Sequence, residues 1–92
     1  MNDEQLKQFF EDLVQANAAA TALLTAAAAR QMETGQLMDL IANVKSGLSS
    51  TKKEHPNSRI ANLAIHIATE SLAALDAEIL LRQQEQQTGK AH

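Results

Sequence analysis

Apolar side chains recur at alternating steps of three and four residues through the first third of the chain. We name this row the heptad seam, and its members are Leu6, Phe9, Leu13, Ala16, Ala20, Leu23 and Ala27. This spacing is typical of a helix that packs against another helix along one stripe. We expect a helix over residues 3–33, capped by Asn2 or Asp3. At ~1.5 Å per residue it is about 45 Å long, more than a small globule needs.

The composition excludes most other fold classes. Seventeen of the 92 residues are Ala, Cys is absent, and the chain has only three Gly and one Pro. A sheet needs frequent turns and strands rich in β-branched or aromatic residues, and this chain lacks both signals. Disulfide scaffolds and thiolate metal sites need cysteine. The expected fold class is therefore all-α, with helix over more than about 70% of the chain.

A second helical segment follows a glycine. Gly35 is expected to break or kink the first helix through a left-handed cap. A continuous helix through Gly35 is the alternative, at a cost of about 1 kcal/mol. The apolar residues that follow have the helical period and predict a short helix over residues 36–48. They are Leu37, Leu40, Ile41, Val44 and Leu48.

One polar stretch separates the second helix from a third. Residues 49–57 are polar, contain the single Pro56 and are expected to form the loop. A long third helix is predicted over residues 58–86, with Asn57 or Ser58 as its cap. Its apolar stripe is broad and drifts around the helix, which indicates packing against more than one neighbour.

The length and the C-terminal sequence limit the domain organisation. Ninety-two residues make one domain at most. The residues after Leu81 are polar on all sides of the expected helix. We therefore expect a single helical domain over residues 1–87 and a disordered tail over residues 88–92.

Homodimerisation is expected to complete the helical bundle. A small chain buries only a small fraction of its surface when it folds. Two long helices and one short helix also leave much of a shared core uncovered. Rows of alanine allow helix axes to approach closely, although alanine is also a common neutral filler of helices. The predicted interface includes the heptad seam or one row of the third helix. Its members are Leu13, Ala16, Ala20, Leu23, Ala27, Ile65, Leu72 and Ile79.

The charges limit the classes of partner. The net charge is −3, whereas nucleic-acid binding needs a surplus of Lys and Arg. Four of the eight cations nevertheless lie within residues 45–59, which makes this stretch a candidate docking surface. The uncharged residues 13–29 are too rich in Ala and polar side chains to predict a membrane span. The acidic N-terminus does not match a secretory signal, so we expect a cytoplasmic protein.

No residue pattern predicts catalysis, a cofactor, a small-molecule substrate or a metal centre. The chain has no glycine-rich phosphate loop and no nucleophile elbow, and its three histidines share no ligand spacing. His66 lies within a predicted helix, as the histidine of a phosphotransfer domain does. Thr69 and Ser71 occupy the positions where such domains usually have Lys and Gly. A surface pair between His66 and Glu70 is the simpler interpretation.

A helix-turn-helix over residues 24–32 and 37–48 is another interpretation of the glycine break. Its reading helix would present Asp39, Asn43 and Lys45. The first turn of that helix lacks the Arg, Gln or Asn donors that read base edges in the major groove. Burial of the apolar row explains the same segment without DNA.

These features predict a non-enzymatic protein–protein interaction module, such as an adaptor, an inhibitor or a small chaperone, that acts as a helical homodimer. The alternatives are a small transcriptional or nucleic-acid-associated regulator that uses the basic loop 49–59, and a structural assembly subunit. Partner contacts are expected to combine apolar anchors with cations that steer association. The predicted contacts are Phe10, Val14, Met38, Lys45, Lys52, Lys53 and Arg59. For Phe10, packing in the core is the competing interpretation.

Overall fold

Three α-helices form the fold. The computed structural model describes residues 1–90, with side-chain environments for residues 1–87. The helices are α1 (Asp3–Arg30), α2 (Thr34–Glu54) and α3 (Arg59–Lys90). About 90% of the described residues are helical, and this part of the chain contains no strand. The predicted all-α class with three helices is confirmed.

Side-chain caps define where α1 and α3 begin. The Gln5 N–H donates to Oδ1 of Asn2 (2.8 Å), and the Asn2 N–H donates to Oε1 of Gln5 (3.0 Å). These two bonds form a capping box. At the start of α3, the Ala61 N–H donates to Oγ of Ser58 (3.1 Å). Asn2 and Ser58, each one of two residues predicted for its position, are therefore the caps.

The break between α1 and α2 lies earlier than predicted, and Gly35 does not form it. α1 ends at Arg30, and the N–H groups of Gln31 and Met32 donate to carbonyls three residues back (3.0 and 3.1 Å). Gly35 lies in the first turn of α2 and does not have a positive φ. A left-handed glycine cap is not needed, because this tight turn closes the helix in ordinary backbone conformations.

The second helix is not short: α2 has 21 residues and continues through most of the predicted loop. Only residues 55–58 connect it to α3. Ser, Thr and Lys are compatible with a helix, and the two lysines of the last turn are favourable at the negative end of its dipole. Pro56 is the effective stop, since it disfavours helical backbone at His55, which has φ −132° and ψ 56°.

α3 is the central helix and packs against both α1 and α2, as its broad apolar stripe predicted. Close approaches between α1 and α2 are few. The buried core is small and lies near the turn between α1 and α2. Its contacting cluster is Ala29 from α1, Leu37 and Ile41 from α2, and Leu75 from α3, and Ala18 and Ala61 are also buried.

α3 extends to Lys90, past its predicted end at residue 86. The predicted disordered tail, residues 88–92, falls on positions whose side chains are not described, and residues 91–92 lie outside the described part altogether. That prediction therefore stays untested.

α1 and α3 run in the same direction but are staggered along their length. Their C-terminal parts meet where Arg82 bonds the carbonyl of Ala29, and their first turns line one groove. The two helices are about 42 and 48 Å long at ~1.5 Å per residue, whereas the molecule is 60 Å long. The start of α1 therefore extends past the start of α3. We name residues 3–13 the N-terminal arm, and every one of them is exposed.

Candidate functional site

The side of α1 that faces α3 is opposite to the heptad seam. At about 100° per residue, the buried and half-buried residues of α1 centre about 180° around the helix from the seam. They are Val14, Ala18, Ala22, Thr25, Ala26 and Ala29. All seven seam residues are exposed. Small side chains thus make the contact within the chain, since they let α1 approach α3 closely, and the larger ones face outward.

The exposed seam carries large apolar side chains. Phe9 is 51% exposed, Leu23 is 72% exposed, and Leu24, which flanks the seam, is 71% exposed. Single exposed apolar residues are ordinary, but a contiguous row along one helix marks an interaction surface. The seam is therefore the first candidate site.

A groove of about 690 Å³ lies where the N-terminal arm passes the start of α3, and we name it the arm groove. Its apolar lining comes from Leu6, Phe10 and Val14 of α1 and from Leu63 of α3. The stagger of the two helices creates this space, because the first turns of the arm extend past the start of α3. The groove is open to solvent along one side and is the second candidate site.

Charges of both signs surround the arm groove. Asp3 and Glu11 supply carboxylates, and Lys7 and Arg59 supply cations. The cations of the groove are thus balanced by an equal number of acids. Such a rim fits a partner surface of mixed charge better than a polyanion.

Three of the seven predicted partner contacts line the arm groove together, namely Phe10, Val14 and Arg59. Phe10 is 55% exposed, so it does not pack in the core of a single chain. Its ring makes an edge-to-face contact with the ring of Phe9, with centroids 5.9 Å apart and planes inclined by 65°. The two rings point to different sides of the arm, one toward the seam and one toward the groove.

The other four predicted contacts lie on α2. Met38 is exposed near the start of that helix, and Lys45 is exposed at its middle. Lys52 and Lys53 are exposed in the last turn of α2 rather than on a mobile loop, because the helix continues to Glu54. None of these four lines the arm groove.

The predicted dimer interface divides into exposed and partly covered residues. Its five members on α1 are all exposed. On α3, Leu72 and Ile79 are half-buried and pack against the core within the same chain. Ile65 is also half-buried and lines a small groove between α2 and α3. The row on α3 is therefore used largely inside the chain.

Arg82 joins all three helices, and no role was predicted for it from the sequence. Its Nη2 donates to the carbonyls of Ala29 (2.9 Å) and Met32 (2.7 Å), and its Nη1 donates to Oγ1 of Thr34 (3.0 Å). Its Nε lies 3.2 Å from Oε2 of Glu78. Two sequence features could have indicated this role. Glu78 and Arg82 are four residues apart beside an apolar row, and the end of α1 leaves backbone carbonyls without a partner inside the helix.

The histidine and metal hypotheses receive no support from geometry. His66 is exposed, and the salt bridge found among the described side chains is Arg82–Glu78 rather than His66–Glu70. Within residues 1–90, no group of three or more His, Cys, Asp or Glu side chains is placed to hold a metal ion. No helix in that range has both the length and the apolarity needed to cross a bilayer.

The heptad seam and the arm groove are thus the two surfaces on which a functional inference can rest. A comparison of the chain with protein families, with curated proteins and with solved structures found no match.

Proposed function

We propose that the protein is a non-enzymatic protein–protein interaction module that acts as a helical homodimer and binds another protein. The observation that carries this proposal is its accessible surface of 7046 Å². A compact monomer of this mass exposes about 5,200 Å². The radius of gyration is 16.7 Å, against about 12 Å for a compact domain of this length. The chain therefore exposes about 1,800 Å² more than a self-contained domain.

The excess area is enough for two contacts. A standard protein interface buries about 800 Å² on each partner. One such interface leaves about 1,000 Å² of the excess exposed, which is enough for a second. The two candidate surfaces lie on different sides of α1 and share only Leu6. We assign the heptad seam to a second copy of the chain and the arm groove to the other protein.

The occupant of the arm groove is proposed to be an amphipathic helix of that other protein. Leu6, Phe10 and Leu63 offer apolar contacts along the groove, which suits a helix with anchors on one face. The balanced rim of two acids and two cations favours a helix that carries both signs of charge. Aromatic anchors such as Phe10 concentrate binding energy when a partner removes them from water.

A nucleic-acid-associated regulator remains the alternative, and two features weaken it. Arg59, one of the three cations of residues 49–59, shares the arm groove with Asp3 and Glu11, and these carboxylates repel phosphate. α1 and α2 hardly approach each other, whereas the two helices of a helix-turn-helix pack together. The basic residues of α2 and α3 therefore supply positive charge, but they do not belong to a packed helix pair that could place a recognition helix in the major groove.

The test begins with capture of the tagged protein from its native cell, followed by mass spectrometry to identify a partner. The purified partner is then titrated against wild type, Phe10→Ala and Leu80→Ala. Leu80 is the matched control, because it is 55% exposed, as Phe10 is, and lies outside the groove and the predicted contacts. We expect Phe10→Ala to weaken binding about tenfold or more, with little change in melting temperature, and Leu80→Ala to leave binding intact.

Three results contradict the proposal. A partner whose affinity is indifferent to Phe10→Ala does not bind the arm groove. A large fall in melting temperature for Phe10→Ala shows that the residue stabilises the fold. Tight binding of duplex DNA that falls steeply with added salt favours the alternative.

A further inference from the structure

We infer that a second copy of the chain covers the heptad seam and that the two α1 helices pair in antiparallel orientation. This inference rests on the proposed function, because it specifies how the homodimer forms. It is argued from the unsupported arm, from the sizes of the seam side chains and from the distribution of charge along α1.

The seam side of the N-terminal arm has no packing partner within the chain. On this side Leu6, Phe9 and Leu13 are 43%, 51% and 47% exposed. Most helical stability in proteins comes from packing of an apolar face, and in a single chain this face of the arm packs on nothing. The missing contact is on the seam.

The sizes of the seam residues favour antiparallel pairing. The first half of the seam carries Leu6, Phe9 and Leu13, whereas the second half carries alanines with a single leucine, Leu23. Parallel pairing in register sets bulky side chains against their own copies and alanines against alanines. Antiparallel pairing sets the bulky half of each helix against the small half of the other, so that large and small side chains interdigitate.

The charges of α1 favour the same orientation. The N-terminal arm carries the four acids Asp3, Glu4, Glu11 and Asp12 against one cation, Lys7, and the last turn carries the cation Arg30. At about 100° per residue, Asp12 and Arg30 flank the seam. A parallel pair brings the two acidic ends together, with the two Asp12 side chains beside the interface, where they repel each other. An antiparallel pair separates the two acidic ends and places each near Arg30 of the other copy. The helix dipoles also oppose each other in that arrangement.

One register satisfies both the heptad pattern and the charges. The seam contains two kinds of position, separated by steps of three and four residues. In an antiparallel coiled coil, a position of one kind faces a position of the other kind on the second helix. With the two-fold axis beside residue 18, Phe9 lies opposite Ala27 of the second copy, Leu13 opposite Leu23 and Ala16 opposite Ala20. The first turn of each helix then lies beside Arg30 of the other. Ala18 itself remains buried against α3, as the structure has it.

Cysteine cross-linking tests both the surface and the orientation, since the natural chain has no cysteine background. Phe9→Cys and Ala27→Cys are prepared separately, oxidised alone and as a mixture, and analysed on non-reducing gels. The two positions are about 27 Å apart along α1, and a disulfide requires Cα atoms about 4.4–6.8 Å apart. We expect the cross-linked dimer from the mixture and none from either variant alone.

Each outcome has a distinct meaning when light scattering at micromolar concentration accompanies the gels. Self-linking of Phe9→Cys or Ala27→Cys alone shows parallel pairing and overturns the inference. A dimeric mass with no cross-link in any sample places the interface elsewhere, which also overturns it but leaves the homodimer intact. A monomeric mass overturns both the inference and the homodimer, whereas the assignment of the arm groove is tested separately by Phe10→Ala.

A charged substitution on the seam provides a second test, which needs no cross-link. Ala20→Glu introduces a carboxylate at the centre of the proposed interface, and we expect the dimer dissociation constant to rise about 100-fold or more. Ala28→Glu is the matched control, because Ala28 is exposed on α1 outside the seam. Equal dissociation constants for the two variants contradict the inference.

Discussion

Replacement of Arg82 by methionine is the sharpest test of what holds the three helices together. Methionine keeps much of the aliphatic stem and removes the guanidinium. The guanidinium donates hydrogen bonds to the carbonyl of Ala29 in α1, to that of Met32 in the turn that follows, and to Thr34 at the start of α2, and it pairs with Glu78 on α3. The substitution therefore removes bonds to all three helices at once.

The magnitude follows from these contacts. A hydrogen bond to a charged group contributes about 1.5–3 kcal/mol, and a neutral one about 1 kcal/mol. The Arg82 side chain is 19% exposed, so water can reach some of the acceptor oxygens that lose their hydrogen bond. We therefore take about 1 kcal/mol for each of the three long-range bonds. The carboxylate of Glu78, only 10% exposed, is also left without its cation. We expect a loss of about 3 kcal/mol, or about 12–24 °C in melting temperature for a chain of this length.

Urea denaturation followed by circular dichroism, at one fixed protein concentration, measures this loss. Arg82→Lys keeps the charge but not the planar fork, and we expect it to lose about 1–2 kcal/mol. Lys45→Met is the control, since Lys45 is exposed on α2, and its stability should stay within about 0.5 kcal/mol of wild type. A loss below about 1 kcal/mol for Arg82→Met refutes the reasoning, because the turn would then not depend on these bonds.

Three further predictions concern the stability of the fold, each measured by the same urea titration. Gly47→Ala should stabilise the protein by about 0.5–1 kcal/mol, because Gly47 lies inside α2 and no atom lies within 4 Å of an added Cβ; a destabilised variant argues against an ordered helix at that position. Leu75→Ala should cost about 2–5 kcal/mol, since Leu75 is 2% exposed, whereas Leu80→Ala should cost far less, since Leu80 is 55% exposed. Ser58→Ala should cost about 1 kcal/mol through loss of the α3 cap, and Ser58→Asp should retain most of that stability.

The sequence predicted the helices better than it predicted their ends. Periodicity and scarce glycine and proline were enough for three helices and for two of the caps. The ends of α1 and α2 depend on tertiary contacts and on proline rather than on glycine or polarity. Helix propensities of Ser, Thr and Lys differ little, so residues 49–54 carried no local stop signal and Pro56 decided the end of α2.

The sequence also contained two apolar faces on α1, and periodicity alone could not say which one packs inside the chain. The heptad seam, which has the larger side chains, was predicted as the dimer interface, and no face of α1 was predicted to pack inside the chain; α3 contacts the alanine face around Ala18 and Ala29. The small size of alanine explains why this face packs on α3, since alanines allow a close crossing with a helix that also has to pack against α2. The arm groove could not be foreseen for a different reason: it arises from the stagger of α1 and α3, which is a property of their packing rather than of either sequence segment.

The position of the N-terminal arm has a thermodynamic consequence. The arm supplies one wall of the groove assigned to a partner protein and the bulky half of the surface assigned to the second copy. Each contact stabilises the helix of the arm that the other contact also uses, so the two binding equilibria are linked through the stability of that helix. The factor by which dimerisation strengthens partner binding must equal the factor by which the partner strengthens dimerisation. The protein's own concentration then controls whether the partner is held, without any other signal.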